Sequence, residues 1–435
     1  MSHVFISFLG TNDYLPCTYY HNEQECTNIR FVQEATLSIF CRDWEKDDKI
    51  LIFTTAEAFQ KNWKDNGHED NKTKEKLERK GLKRCIEDKS LQSRINRVKI
   101  PEGKSEEEIW QIFEIVYEQL NTGDHVVFDI THAFRSIPML AIVILNYAKV
   151  MKNVVIDGIY YGAFEVLGAI SEAREMARDT RRVPILNLTP LVQLMEWSIA
   201  IDRFIGSGDA KLVGKLADES VSQILSETEG KDEIAKTIRK IAQNVHYFSK
   251  AITACRGQDI VPATDALKRN INQLESFEIV KPFKPLFERV KDQTKRFSGD
   301  VVLDGIQSAR WCCEHNLIQQ AFTILQETIK TWFLLQTNGE LQDIHQREAV
   351  NKAVYIFLSK APEAEWRIES PSEKNLITAL LSFLQDKKEL ARIFRDLSNY
   401  RNDLNHAGYN KNPMSADKFK DKLQQAIERL AILIK

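Results

Sequence analysis

The sequence predicts an α/β N-terminal domain built on a parallel sheet, a helical connector and an all-α C-terminal domain. Three observations carry this expectation. Short apolar, β-rich runs alternate with helical stretches over the first 190 residues, the pattern of βαβ units. Past Leu188-Thr189-Pro190 the strand signal stops and helical periodicity continues almost to Lys435. The length of 435 residues suits two to three domains at roughly 150 residues each. The boundaries read as 1–190, 191–300 and 301–435.

Four runs read as strands. Residues 4–8 end at Gly10-Thr11-Asn12, and residues 49–53 end at Thr54-Thr55-Ala56. Residues 125–130 end at Thr131-His132, and residues 154–160 form the fourth run. Residues 106–120 and 137–149 read as helices between them, with right-handed crossovers as the default. The dense mixed charge of residues 61–108, such as Lys74-Glu75-Lys76, reads as a solvated helical insertion. In the helical part, Leu191, Leu194, Met195, Ser198, Ile201 and Asp202 open an amphipathic helix. Ile318, Ala321, Phe322, Leu325 and Ile329 keep helical spacing, and so do Phe419, Leu423, Ile427, Leu430 and Ile434.

Composition excludes several classes. Charged residues are 28% and hydrophobic residues 43%, which is ordinary for a folded chain. The net charge of -2 excludes a grip on nucleic acid through overall positive charge, though not a local basic cleft. The longest apolar run, 137–145, is broken by Pro138 and falls short of the about 20 residues a membrane helix needs. No membrane partner is expected. The start, Met1-Ser2-His3-Val4-Phe5, lacks a basic n-region and reads as a strand of a cytoplasmic protein. The seven cysteines form no Cys-x-x-Cys pair, so reduced thiols are expected, with neither structural zinc nor a disulfide framework. No metal-ligand spacing is visible, and the expected metal is none.

In parallel α/β sheets, ligands bind beyond the carboxyl ends of the strands. Three of those ends carry small polar loops: Gly10, Thr11 and Asn12; Thr54 and Thr55; and Thr131, His132, Ala133, Phe134, Arg135 and Ser136. Small residues admit a ligand to the backbone, hydroxyls and N–H groups bond its oxygens, and Arg135 lies near a helix start where anions are favoured. Together they suit a phosphate or nucleotide ligand. Thr and Gly also serve turns and caps, and Thr131 could simply cap the helix near Pro138. Gly10 stands in no Gly-x-Gly-x-x-Gly run, and no P-loop lysine pattern exists, which disfavours an NAD enzyme and a P-loop ATPase.

Near the C-terminus, Arg401 and His406 form an Arg-x-x-x-x-His pair. The spacing alone does not select it, because Arg310 and His315 share it. The chemistry is apt: His406 can move a proton to or from a ribose 2′-OH or a leaving 5′-oxygen. Arg401 offers a planar fork to a phosphate, and Asn402 shares the His406 helix face at i, i+4. Such a trio suits RNA cleavage without a metal. The competing role of His406 and Gly408 is to end a helix.

At these residues the chain resembles the CRISPR-associated CARF–HEPN ribonucleases of type III systems. The N-terminal match is Ile6-Ser7-Phe8-Leu9-Gly10-Thr11. The most distinctive one is Asp129-Ile130-Thr131-His132-Ala133-Phe134-Arg135-Ser136-Ile137-Pro138, although Ala133 stands where glycine is frequent. Val183-Pro184-Ile185-Leu186-Asn187-Leu188-Thr189, Trp197 and Gly208-Asp209-Ala210 also fit, as does Arg401-Asn402-Asp403-Leu404-Asn405-His406 in the HEPN position. The resemblance implies a Rossmann-like CARF domain at 1–190 and a HEPN domain at 301–435. It further implies a homodimer, or a higher oligomer, that senses cyclic oligoadenylate as activator and cuts single-stranded RNA. Cyclic tetra-adenylate is favoured over cyclic hexa-adenylate on the same ground, and no cofactor is implied. The rival expectations are a CARF-based regulator without RNase activity and a ring nuclease that cleaves its own ligand.

Overall fold

The computed structural model describes residues 2–70, 73–89, 91–131, 137–275 and 284–434. The chain divides into two compact units, residues 1–193 and 194–435.

The first unit is organised around runs of consecutive buried apolar residues. Strands β1 (His3–Leu9), β4 (Lys49–Thr54) and β6 (His125–Asp129) are buried along nearly their whole length, as strands covered on both faces must be. Among the described residues they join β2 (Cys17–His21), β3 (Gln24–Ile29), β5 (Arg94–Lys99), β7 (Val155–Gly162) and β8 (Arg182–Asn187) in the order β3-β2-β8-β7-β6-β1-β4-β5. From β7 to β5 every pairing is parallel, with Leu9 opposite Thr54 and Ser7 opposite Asp129. The loops after β6, β1 and β4 therefore emerge side by side on one edge. Beyond β7 the sheet is mixed: β8 runs antiparallel to β7, β2 parallel to β8, and β3 antiparallel to β2. One face packs Phe5, Leu9, Ile50 and Ile52 against Phe31 and Leu37, which flank and belong to helix Val32–Phe40.

The four strands read from apolar runs are four of the five in the all-parallel stretch from β7 to β5, the fifth being β5. Four others escaped that reading. Residues 61–108 are not a helical insertion throughout: they hold helix Leu82–Glu87 and the edge strand β5. Its Arg94, Arg97 and Lys99 are exposed, and charges of this kind protect a sheet edge from pairing further. The same charges hide the strand from an apolar-run criterion. Strands β2 and β3 are polar, and β8 contains Pro184, which demotes a strand reading.

The second unit is helical throughout its regular elements among the described residues. Helices Glu233–Thr253, Val301–Glu314 and Ile344–Ser359 start at Asp232, Asp300 and Asp343, whose carboxylates accept from first-turn N–H groups. Ser370 does the same ahead of Pro371 at the start of Pro371–Leu384. One hydrophobic core runs from Trp197 to Ile434 and includes Phe204, Phe248, Trp311, Phe322 and Phe333. Residues on both sides of position 300 contribute to it. Gly208 is required there: its φ is +73°, and a Cβ would lie 2.1 Å from the Trp311 ring. No helix of the described residues is long and apolar enough to cross a membrane.

Candidate functional site

Beneath the loop edge of the first unit lies a buried polar network. Asp129, the last residue of β6, is wholly buried. Its Oδ2 accepts from Ser7 Oγ (3.0 Å), and Gln33 Nε2 donates to that same hydroxyl (3.1 Å) and to the Phe8 carbonyl (3.0 Å). Its Oδ1 accepts from Thr131 N (3.0 Å) and Thr131 Oγ1 (2.5 Å). Burial raises the Asp129 pKa to about 6, against the hydrogen bonds from Thr131 and Ser7, which lower it. Thr131 Oγ1 also accepts from Gly162 N (2.8 Å) at the end of β7. The Thr131 hydroxyl is thus a latch between β6 and β7, with its donor already engaged.

The first loop is held by a residue the sequence reading missed. Asn62 is fully buried, and its Nδ2 donates to both the Gly10 and Asn12 carbonyls at 2.9 Å. His68 Nε2 lies 2.9 Å from Asn62 Oδ1, a contact that requires the proton on Nε2. Burial lowers the His68 pKa, the Asp13 carboxylate opposes this, and Arg30 and Arg79 add to the lowering. No spacing signal could have linked Asn62 to Gly10, because the contact exists only once the chain folds back. Thr11 is half-buried and Asn12 exposed.

In the second loop, Thr55 Oγ1 accepts from Ala58 N (3.1 Å) and caps the turn that follows. Thr54 is buried, its carbonyl accepts from Ile100 N (3.0 Å), and its hydroxyl lies 3.4 Å from Arg97 Nη1. Arg97 lies over the Phe59 ring at 4.1 Å and is exposed. A cation therefore stands at the β4–β5 strand ends, and only the recognition of β5 as a strand reveals it. The remaining expected ligand residues, His132, Ala133, Phe134, Arg135 and Ser136, lie outside the described residues.

In the second unit, helix Lys388–Asn405 carries the Arg–His pair. Arg401 and Asn402 line a cavity of about 510 Å³ together with Gln326, Tyr355, Ser398 and Asn399. Arg401 Nη1 lies 3.7 Å from Glu327 Oε1, while its buried Nε has no hydrogen-bond partner among the described residues. Burial would raise the Glu327 pKa, but hydrogen bonds and charge from Lys330 and Arg347 outweigh it and hold the carboxyl below its usual range. Arg347 grips the same carboxylate through Nε (3.0 Å) and Nη2 (2.7 Å). His406 follows the last helical residue as its C-cap, with its N–H donated to Asn402 O (3.0 Å), and is exposed. Ala407 and Gly408 then take positive φ and end the helix. Within one chain, Arg401 and Asn402 share the cavity, and His406 is not among its lining residues.

In the competing pair, His315 is held by the fold. His315 Nδ1 lies 2.6 Å from Trp311 O, its Nε2 2.8 Å from Ile205 O, and its ring stacks on Trp311 at 3.8 Å. Both nitrogens are committed to the fold.

A mostly parallel sheet with a built loop edge, joined in sequence to a helical region, defines a Rossmann-like α/β domain followed by an all-helical one. Residues 4–165 match the family described as the CARF domain of the CRISPR system endoribonuclease Csx1. Residues 193–301 match the second domain of the CRISPR-associated protein MJ1674. The chain is 27% identical over 257 residues to the CRISPR-associated protein MJ1674 of Methanocaldococcus jannaschii, a stretch that covers 58% of this chain and 36% of that relative. The matches support a CRISPR-associated protein with an N-terminal CARF domain.

Proposed function

We propose that this chain is a cyclic-oligoadenylate-activated, metal-independent endoribonuclease for single-stranded RNA in type III CRISPR defence. The observation that carries the reading is the match of residues 4–165 to a Csx1 CARF domain, over strands whose carboxyl ends bear the Gly10, Thr54 and Thr131 loops. The ring binds across that edge in a homodimer, with Arg135 and the exposed Arg97 as the phosphate-facing cations.

An exposed apolar face supports the dimer. Helix Ile137–Lys152 follows the 131–136 loop, and its Met139 and Val150 are 74% and 72% exposed, with Ile142, Val143, Tyr147 and Met151 also exposed. Trp110 of helix Glu106–Glu118 extends the patch through Phe113, which meets Tyr147 at 5.4 Å. Apolar patches of this kind mark interfaces. A second copy covering it repeats the same loops about a two-fold axis, and a ring with an even number of like nucleotides fits that symmetry.

Cleavage follows from the residues of the 510 Å³ cavity and the adjoining helix end. One His406, neutral, takes the proton from a ribose 2′-OH, the 2′-oxygen attacks its own phosphate as the P–O5′ bond breaks, and the second His406 of the dimer, protonated, gives its proton to the leaving 5′-oxygen. The products are a 2′,3′-cyclic phosphate and a 5′-hydroxyl. Arg401 binds the phosphate charge as it develops, and Asn402 orients the ribose. The dimer supplies the second Arg401–His406 set.

The test is a fluorogenic single-stranded RNA cleavage assay in EDTA, with and without cyclic tetra- and hexa-adenylate. Cleavage with one ring only establishes the gated RNase and its activator. Ring binding without cleavage moves the assignment to a regulator. Loss of the ring in the same incubation makes it a ring nuclease, a reading disfavoured by the commitment of the Thr131 hydroxyl to Asp129 and Gly162.

A further inference from the structure

At the edge of the sheet opposite the ligand loops, three side chains far apart in sequence converge. His3 opens β1, His125 opens β6, and the two are direct cross-strand partners. Asp157 belongs to β7. The β6–β7 register shifts between Val126, opposite Ile156, and Val127, opposite Gly158, so Asp157 is the extra residue of a β-bulge. Bulges re-aim side chains, and this one turns the carboxylate toward both rings. Asp157 Oδ2 lies 3.4 Å from His3 Nδ1 and Oδ1 lies 3.0 Å from His125 Nδ1.

We propose that His3, His125 and Asp157 form a binding site for a divalent transition-metal ion of the zinc class. Two imidazoles and one carboxylate are borderline donors that favour zinc, cobalt or nickel over magnesium or calcium. Three protein ligands leave a further position for water or an incoming ligand. The spacing fits. Zinc held at about 2.0–2.2 Å by nitrogen and oxygen sets its ligand atoms about 3.3–3.5 Å apart in a tetrahedron, and each imidazole already has one Asp157 oxygen near that distance, Oδ2 at 3.4 Å from His3 Nδ1 and Oδ1 at 3.0 Å from His125 Nδ1. All three ligand atoms lie within 4.8 Å of one another, so the widest gap closes by about 1.4 Å at most to reach that tetrahedral edge.

The backbone beneath the donors is fixed. His3 N donates to the buried Asp48 carboxylate (2.6 Å), and His125 N donates to Ser2 O (3.0 Å). Asp124, also buried, accepts from Ser2 Oγ (3.1 Å) and Asn121 N (2.7 Å). The His3 ring rests 5.3 Å from that of Trp44. Side-chain rotation is therefore all that binding requires. The ion would pin the starts of β1, β6 and β7 and takes no part in RNA cleavage, so the site is independent of the function proposed above.

The test uses untagged full-length protein stripped with a chelator and titrated with zinc by calorimetry, alongside cobalt followed by visible absorption. One saturable equivalent is expected, with a cobalt d–d band that zinc displaces and a Tm that rises with zinc. The H125A and D157N variants should each bind at least 10-fold more weakly, since even an outer partner of a metal ligand is worth about 10- to 100-fold. Circular dichroism of the metal-free variants shows whether they are folded, and D157N keeps the shape of the bulge residue. Absence of saturable binding in the wild type, or unchanged binding in folded H125A and D157N, overturns the proposal.

Discussion

Thr131 shows how a residue that reads as a ligand contact also holds the platform, through Asp129. The Thr131 hydroxyl joins the Asp129 carboxylate to the Gly162 N–H. T131V keeps the shape, takes the side-chain acceptor from the Gly162 N–H and one of two Thr131 donors from Asp129 Oδ1, and should lower stability by about 1–3 kcal/mol in urea unfolding. Asp129 also makes stability pH-dependent. Its pKa is raised from 3.8 to about 6 in the fold, so between these values the folded state holds more protons than the unfolded one. Stability from this group is fully present below pH 3.8 and is lost as pH rises through 6. The advantage of wild type over D129N should shrink by up to about 3 kcal/mol between pH 4 and pH 7.5, and urea midpoints of both proteins at the two pH values measure it. In the second unit, H406A should reduce ring-stimulated cleavage by about 100-fold or more and leave ring binding intact, read by the RNA assay and by calorimetry. Wild-type cleavage by H406A would remove His406 from the active site. The sequence had already separated Arg401 from Arg310 through resemblance; the commitment of both His315 nitrogens now gives a physical reason.

Elements differ in how far they could be read. Strands β1, β4 and β6 announce themselves because burial on both faces demands continuous apolar runs, and β7 does so by its β-branched and aromatic residues although Val155 and Asp157 stay exposed. Strand β5 alternates exposed Arg94, Arg97 and Lys99 with partly covered Ile95 and Val98, so its identity depends on Lys49–Thr54 being alongside. Helix Ile137–Lys152 was legible as a helix, but which of its apolar residues stay exposed was not, since the answer depends on what the sheet covers. If that face joins two copies, M139D/V150D should convert a dimer into a monomer in light-scattering chromatography, and an unchanged mass would move the interface elsewhere. At the turn before Lys211–Glu227, Gly208 meets Trp311 and has positive φ. G208A should destabilise the helical unit by about 1–3 kcal/mol or more, the usual cost of overpacking, and thermal unfolding checks it.

For the whole molecule, the gating proposed above carries an energetic requirement. Moving an enzyme from 1% to 99% active takes about 5.5 kcal/mol of differential ligand affinity. A multi-phosphate ring contacting the loops of two subunits is of the right size to supply it. The ring should therefore stabilise the protein, with a Tm that rises with its concentration, and R97A should weaken that shift without altering cleavage at saturating ring. A chelator should lower stability through the His3–His125–Asp157 site while ring-stimulated cleavage persists. Loss of both together would tie the metal to catalysis instead.

The sequence by itself determined the alternation of strand and helix, the small polar loops at Gly10, Thr54 and Thr131, and the helical character beyond Pro190. These follow from hydrophobic period and turn chemistry, which are local. Only the tertiary structure decided which hydroxyls are spent on the fold, that Asn62 holds the Gly10 loop, that Arg97 stands at the β4–β5 strand ends, and that Glu327 sits beside Arg401. It alone brings His3, His125 and Asp157 together. The reason is physical: a polar side chain's role is set by its partners, and here each partner arrives from a distant part of the chain, through pairing and burial that no local pattern encodes.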